Sequence, residues 1–174
     1  LEFVSVQAWD DDAVHAGHLA TRVGRDATLR TVVVTLGGEA ARLVQTVDYD
    51  GPGGDADVRG LYFADAGQRF EHRSFVNHDQ PHCRSNVVFK GAPQGEGARS
   101  VWVGDVLIQP SAVGTQTYEI NRNLLLDDGP RADSVPNLEI LTGDVMGAGH
   151  ASATGRFDEE QLFYLRSRGI PEDQ

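Results

Sequence analysis

The chain has 174 residues, with 15 Lys and Arg against 26 Asp and Glu, for a net charge of -11. At roughly 150 residues per domain this is one domain with room for a core, and its negative field repels a phosphate backbone, which excludes nucleic acid as a partner. No apolar run approaches the roughly 18 residues that a spanning helix needs, and no basic segment leads into an apolar one at the start, so the chain reads as soluble, unsecreted and cytoplasmic, with no membrane partner.

A single cysteine, Cys83, forms no internal disulfide and supplies no four-thiolate zinc or iron-sulfur site. The chain starts at Leu1 and stops at Ile170-Pro171-Glu172-Asp173-Gln174, where a new acidic helix could begin, and so reads as the excised core of something longer.

From the amino end, residues 3–7, 31–36, 43–47, 58–63 and 101–108 carry β-branched or alternating side chains and predict strands. Between them, Gly37-Gly38, Asp50-Gly51-Pro52-Gly53-Gly54, Gly91-Ala92-Pro93 and Asp127-Asp128-Gly129-Pro130 supply turn chemistry. Strand starts at Ala27, Ala41, Ala56, Phe70, Arg84, Ala98 and Ala112 recur about every 14 residues, the fixed spacing of stacked repeats. Two such units make one flattened coil of about 28 residues, which predicts an all-β parallel β-helix. A β-sandwich with loops of similar length is the alternative.

Residues 158–169 change character. Asp158 suits an N-cap, Glu159 and Glu160 the first turn, Arg166 and Arg168 the last turn, and Gly169 a left-handed cap. Leu162 and Leu165 share a face beside Phe163, so this short C-terminal helix is expected to cap the final coil. The division expected is a β-helix core over 1–155 and the start of a truncated helical segment over 156–174.

Six histidines raise a metal hypothesis. His15 and His18 fall on opposite strand faces and suit no chelate. His72, His78, His82 and Cys83 are a zinc-competent set of residue types whose spacing matches no standard motif, with a hydrogen-bonded polar turn as the alternative. Cys83 precedes a core-like strand and reads as a small buried hydrophobe; an exposed thiol beside Arg84 would instead be reactive. The many acids (Asp10, Asp11, Asp12, Asp48, Asp50, Asp55, Asp57, Asp127, Asp128, Asp133) fall mostly in turns. They keep open an alternative function, a carbohydrate-active β-helix hydrolase or lyase. No nucleophile elbow, phosphate-cradling loop or zinc-protease helix is present, so the chain is expected not to be an enzyme.

The carboxyl-terminal third is more specific. The order Asn121-Arg122-Asn123-Leu124-Leu125-Leu126, Asp133-Ser134-Val135-Pro136-Asn137-Leu138-Glu139-Ile140, Gly143-Asp144-Val145, Gly149-His150-Ala151 and the segment from Asp158 to Ile170 resembles the core of the SufB/SufD family, which assembles iron-sulfur clusters. The stretch Cys83-Arg84-Ser85-Asn86 to Phe89-Lys90-Gly91 resembles it too. Within that family the chain is similar to the SufD type of subunit. Asn121 stands where SufB has a cysteine, Gly149 and Ala151 stand where SufB flanks its histidine with acids, and Ala148 stands where some SufD relatives have a cysteine.

The resemblance implies a right-handed parallel β-helix and a non-catalytic scaffold subunit of the SufBCD complex. It implies pairing with SufB through the C-terminal end of the β-helix, and docking of the SufC ATPase on the following helical segment. His150 would be a cluster ligand shared with SufB, with Asn121, Arg122, Asn123, Gly149 and Ala151 beside it at the interface. A transient iron-sulfur cluster or iron would sit on the complex and none on the isolated chain, whose solenoid edges also suit a homodimer.

Overall fold

The structure, a computed structural model, describes residues 1–156 and 158–171. Among the described residues, eleven strands are followed by one helix. They are β1 (Glu2–Gln7), β2 (Val14–Val23), β3 (Thr28–Thr35), β4 (Ala40–Tyr49), β5 (Asp55–Tyr62), β6 (Arg69–His78), β7 (Arg84–Gly91), β8 (Arg99–Ile108), β9 (Thr115–Leu125), β10 (Arg131–Ile140) and β11 (Val145–Arg156), then α1 (Glu159–Ser167).

Odd-numbered strands form a six-stranded sheet in the order β1-β3-β5-β7-β9-β11, and even-numbered strands a five-stranded sheet, β2-β4-β6-β8-β10. Every strand pairs in parallel with the next but one, so two strands make a coil and the chain winds as a β-solenoid of about five turns. A sandwich of consecutive antiparallel strands is thereby excluded. The strand starts expected at 27, 41, 56, 70, 84, 98 and 112 are found at 28, 40, 55, 69, 84, 99 and 115. Coils lengthen along the chain: Val14 faces Ala40, 26 residues on, whereas Arg84 faces Gln116, 32 residues on.

Alternation explains the packing. In β5, Ala56, Val58, Gly60 and Tyr62 turn inward while Asp57 and Arg59 turn out, so one side of the pleat is core and the other is solvated. Across the interior Tyr62, His72, Phe89 and Trp102 form a run of rings with centroids 4.7–5.9 Å apart. Such stacked and tilted contacts add to the burial of the ring area itself. Outside, acids and arginines pair along and between coils, as Asp133 does with Arg99 and Arg131, both at 2.8 Å.

α1 begins at an Asp158 N-cap whose carboxylate accepts the Gln161 N–H at 2.6 Å, and Gly169 follows with φ +88°. One expectation fails here. Leu162 and Phe163 stay exposed and Leu165 is only half-buried, so the helix does not cover the final coil with its apolar side chains. Of the segment expected to be helical, 157 and 172–174 lie outside the described residues.

Candidate functional site at the last coil

Strand β9 differs from its neighbours on the inward side. Thr115, Thr117, Glu119, Asn121 and Asn123 all point into the solenoid and are buried, an unbroken polar row where β5 has apolar groups. Most of the row is satisfied internally. The Thr117 hydroxyl lies 2.6 Å from that of Ser85, which in turn lies 2.9 Å from His78 Nε2. Asn121 donates to the Tyr62 hydroxyl at 2.9 Å and to the Phe89 carbonyl at 3.2 Å. Tyr62 donates to Asn123 at 2.7 Å, and Ser134 of β10 donates to Asn121 at 2.5 Å. A buried amide network of this kind is stable only because nearly every lone pair and N–H finds a partner.

Glu119 is the exception. It is 0% exposed and neither carboxylate oxygen makes a hydrogen bond. Burial pushes its carboxyl up to about 7, helped by the Asp105 charge and opposed by the dipole of the Asn137 backbone amide. Space for it is reserved: a Cβ on Gly104 would collide with Glu119 Oε2 and with the Trp102 ring.

The ladder puts His150 of β11 directly over Glu119, Ser152 over Asn121 and Thr154 over Asn123. His150 Nδ1 lies 3.8 Å from Glu119 Oε1, and the histidine side chain keeps 43% of its exposure. Its side of the pleat faces the interior, yet no further coil covers it among the described residues. An imidazole held this way is available to a metal on its exposed side.

The remaining site expectations separate clearly. Asn121 and Asn123 are interior, so they can support an interface at this end only through the coil they hold; Arg122 between them is exposed. Gly149 and Ala151 flank His150 on the opposite side of the pleat and are half-buried. Cys83 is 0% exposed, with Sγ directed at the Gly51 carbonyl 3.5 Å away, and burial pushes its thiol up. The thiol is buried as expected, and the alternative of an exposed, reactive thiol does not hold.

The zinc-competent set does not assemble, and no group of three or more His, Cys, Asp or Glu able to hold a metal occurs among the described residues. His72 lies 3.0 Å from the Thr35 hydroxyl and stacks on Tyr62, while His78 stacks on Tyr49. Burial lowers both to about 4. Several of the acids invoked for a saccharide enzyme are tied to arginines or amides: Asp50 with Arg22, Asp57 with Arg59 and Asp48 with Asn77.

Sequence reasoning missed Glu119 and the Tyr62 and Ser134 network. The signal was present as parity: Thr115, Thr117, Glu119, Asn121 and Asn123 alternate with Gln116, Tyr118, Ile120 and Arg122. A polar row at every second position inside a buried strand announces a built interior.

The fold is that of a parallel β-solenoid protein with a continuous buried polar row in β9, next to its last coil. The family model for SUF system FeS cluster assembly, SufBD core domain, matches residues 1–174, and the chain belongs to this family. It is 59% identical over 180 residues to an iron-sulfur cluster assembly SufBD family protein of Mycobacterium bovis, an alignment covering 100% of this chain and 45% of that relative. A Mycobacterium leprae member is 58% identical, with 100% and 46% covered. The iron-sulfur cluster assembly protein SufD of Escherichia coli is 30% identical over 156 residues, covering 90% of this chain and 36% of that protein. The chain thus spans less than half the length of these relatives.

Proposed function

We propose that this chain is a SufD-like, non-catalytic scaffold of the SufBCD iron-sulfur assembly complex, pairing with SufB through the β10–β11 end and contributing His150 to a shared site for the cluster, which is cargo. The observation that carries this is the half-exposed imidazole on the last coil, standing over an organised polar interior. Position 121 supports the SufD side of the family: its amide is locked to Tyr62 and Phe89, so no thiolate is offered there.

Ligand chemistry explains why two subunits are required. Iron-sulfur clusters are held by thiolates, and an imidazole serves as a supplementary ligand. A chain offering one imidazole and a buried Cys83 needs sulfur from its partner. Loose shared ligation lets ATP-driven motion in SufC open the seam and release the cluster. The exposed Leu162, Phe163 and Tyr164 of α1 give the helical segment an apolar surface suited to SufC docking.

Co-purification with SufB and SufC tests the assembly, and iron and sulfide analysis of the reconstituted complex tests the site. His150→Ala is expected to leave the complex intact and to lower its iron and sulfide several-fold. A variant complex that builds and transfers clusters at the wild-type rate overturns the proposal.

A further inference from the structure

Three observations converge on Glu119. First, the groups below it on the ladder are Val87 and then Val58, so the carboxylate stands on an apolar floor and has no polar partner deeper in the solenoid. Second, the other polar side chains of its row are engaged with Ser85, Tyr62 and Ser134, while both Glu119 oxygens are unpaired at 0% exposure. Third, the atom facing it from the next coil is a particular one, Nδ1 of His150, at 3.8 Å. That gap is about 1 Å longer than a charge-assisted N–H···O bond, and a small rotation of a half-exposed ring closes it.

We infer that Glu119 is the positioning residue for His150: its carboxylate accepts the Nδ1–H and thereby leaves the Nε2 lone pair facing outward for iron. The inference rests on the reading of His150 as a ligand. A neutral imidazole carries one ring proton, and the hydrogen bond made by one nitrogen decides which nitrogen is left to bind a metal. A free imidazole in water keeps its proton chiefly on Nε2, the wrong form for outward ligation. Glu119 reverses that preference. Ligating histidines commonly donate their other N–H to a carboxylate or carbonyl, which fixes the ring and raises its basicity as a donor. Here that carboxylate comes from the preceding coil in strict register, so the solenoid ladder itself aligns the pair. Gly104 completes the arrangement by leaving the volume that Glu119 Oε2 occupies.

The test is the tautomer of His150, read from ring nitrogen shifts of the purified protein labelled with 15N-histidine at pH 8, the His150 signal being assigned by its loss in His150→Ala. Expected are the Nδ1–H form in the wild type and in Glu119→Gln, which keeps an acceptor oxygen, and the Nε2–H form in Glu119→Met, which fills the same volume without one. In the SufBCD complex, Glu119→Met is expected to weaken iron retention about tenfold, with Glu119→Gln in between. A wild-type ring protonated on Nε2, or a Glu119→Met protein still protonated on Nδ1, overturns the inference. A His150→Ala complex with full iron content instead overturns the ligand reading and leaves the tautomer result standing, so the two failures are distinct.

Discussion

Strands β5 and β9 lie in the same sheet, separated only by β7, and their interiors are opposites. β5 turns Ala56, Val58, Gly60 and Tyr62 inward, whereas β9 turns Thr115, Thr117, Glu119, Asn121 and Asn123 inward. Backbone geometry is shared, so the ladder imposes no interior chemistry of its own. The middle coils hold the solenoid together by burying rings and aliphatic groups. The coil next to the C-terminal end gives up apolar area for a network that fixes side chains in place. Glu119 shows the cost of the second arrangement: a buried carboxylate with no hydrogen bond is a liability for stability, retained where it faces His150.

Removing an interior ring breaks the comparison on its stabilising side. Phe89 is 0% exposed, lies 5.9 Å from Trp102 ring to ring, and fills the space that Gly60 leaves open. Phe89→Ala is expected to lower unfolding stability by about 3–5 kcal/mol, measured by urea denaturation, because the surrounding strands cannot collapse into the void.

Acid probes the polar groups of the middle coils. His72 and His78 have a folded value of about 4 against an ordinary 6.5, so the native state holds them neutral while the unfolded chain takes up protons. Stability is therefore complete above about pH 6.5 and is lost as pH falls toward about 4, at roughly 3 kcal/mol for each ring. Urea midpoints at pH 7.5 and 4.5 measure the drop, and His78→Gln is expected to halve it.

The smallest effect sharpens the contrast and has the opposite sign. Glu119→Met is expected to raise stability at pH 8 by roughly 1–2 kcal/mol, since apolar volume replaces a buried charge whose one contact, to a half-exposed ring, offsets little of its desolvation. A thermal melt that shows no gain, or a loss, means that the contact with His150 offsets the full cost of burying the carboxylate.

How much of this could be read from the amino acids depends on the coil. The winding was legible from spacing, because strand starts recur wherever each coil must return to the same lattice of hydrogen bonds. β2, β10 and β11 were not among the strands expected. β11 is built largely of Gly, Ala, Ser and Thr (Gly147, Ala148, Gly149, Ala151, Ser152, Ala153, Thr154), and is a strand because β9 supplies its hydrogen bonds. Local preference carries little there and pairing decides. His150 entered through family resemblance, while Glu119 went unnoticed because a lone acid among many looks like a surface residue until the alternation of its strand is followed inward. The inertness of Cys83 was legible, since a thiol at the entry of a core strand is usually packed away. Conversely, the helix had the composition of a cap, and Leu162, Phe163 and Tyr164 remain exposed in the structure.

The coils also touch only their immediate neighbours, so resistance to opening accumulates additively along the stack, and the β10–β11 coil has a neighbour on one side only in the structure. Local unfolding costs least at such ends, the β1–β2 coil being the other. The His150 imidazole therefore rides on one of the two end turns of the spiral, and any subunit seated against that turn would add a layer to the stack, coupling tightness of assembly to how firmly the ring is held.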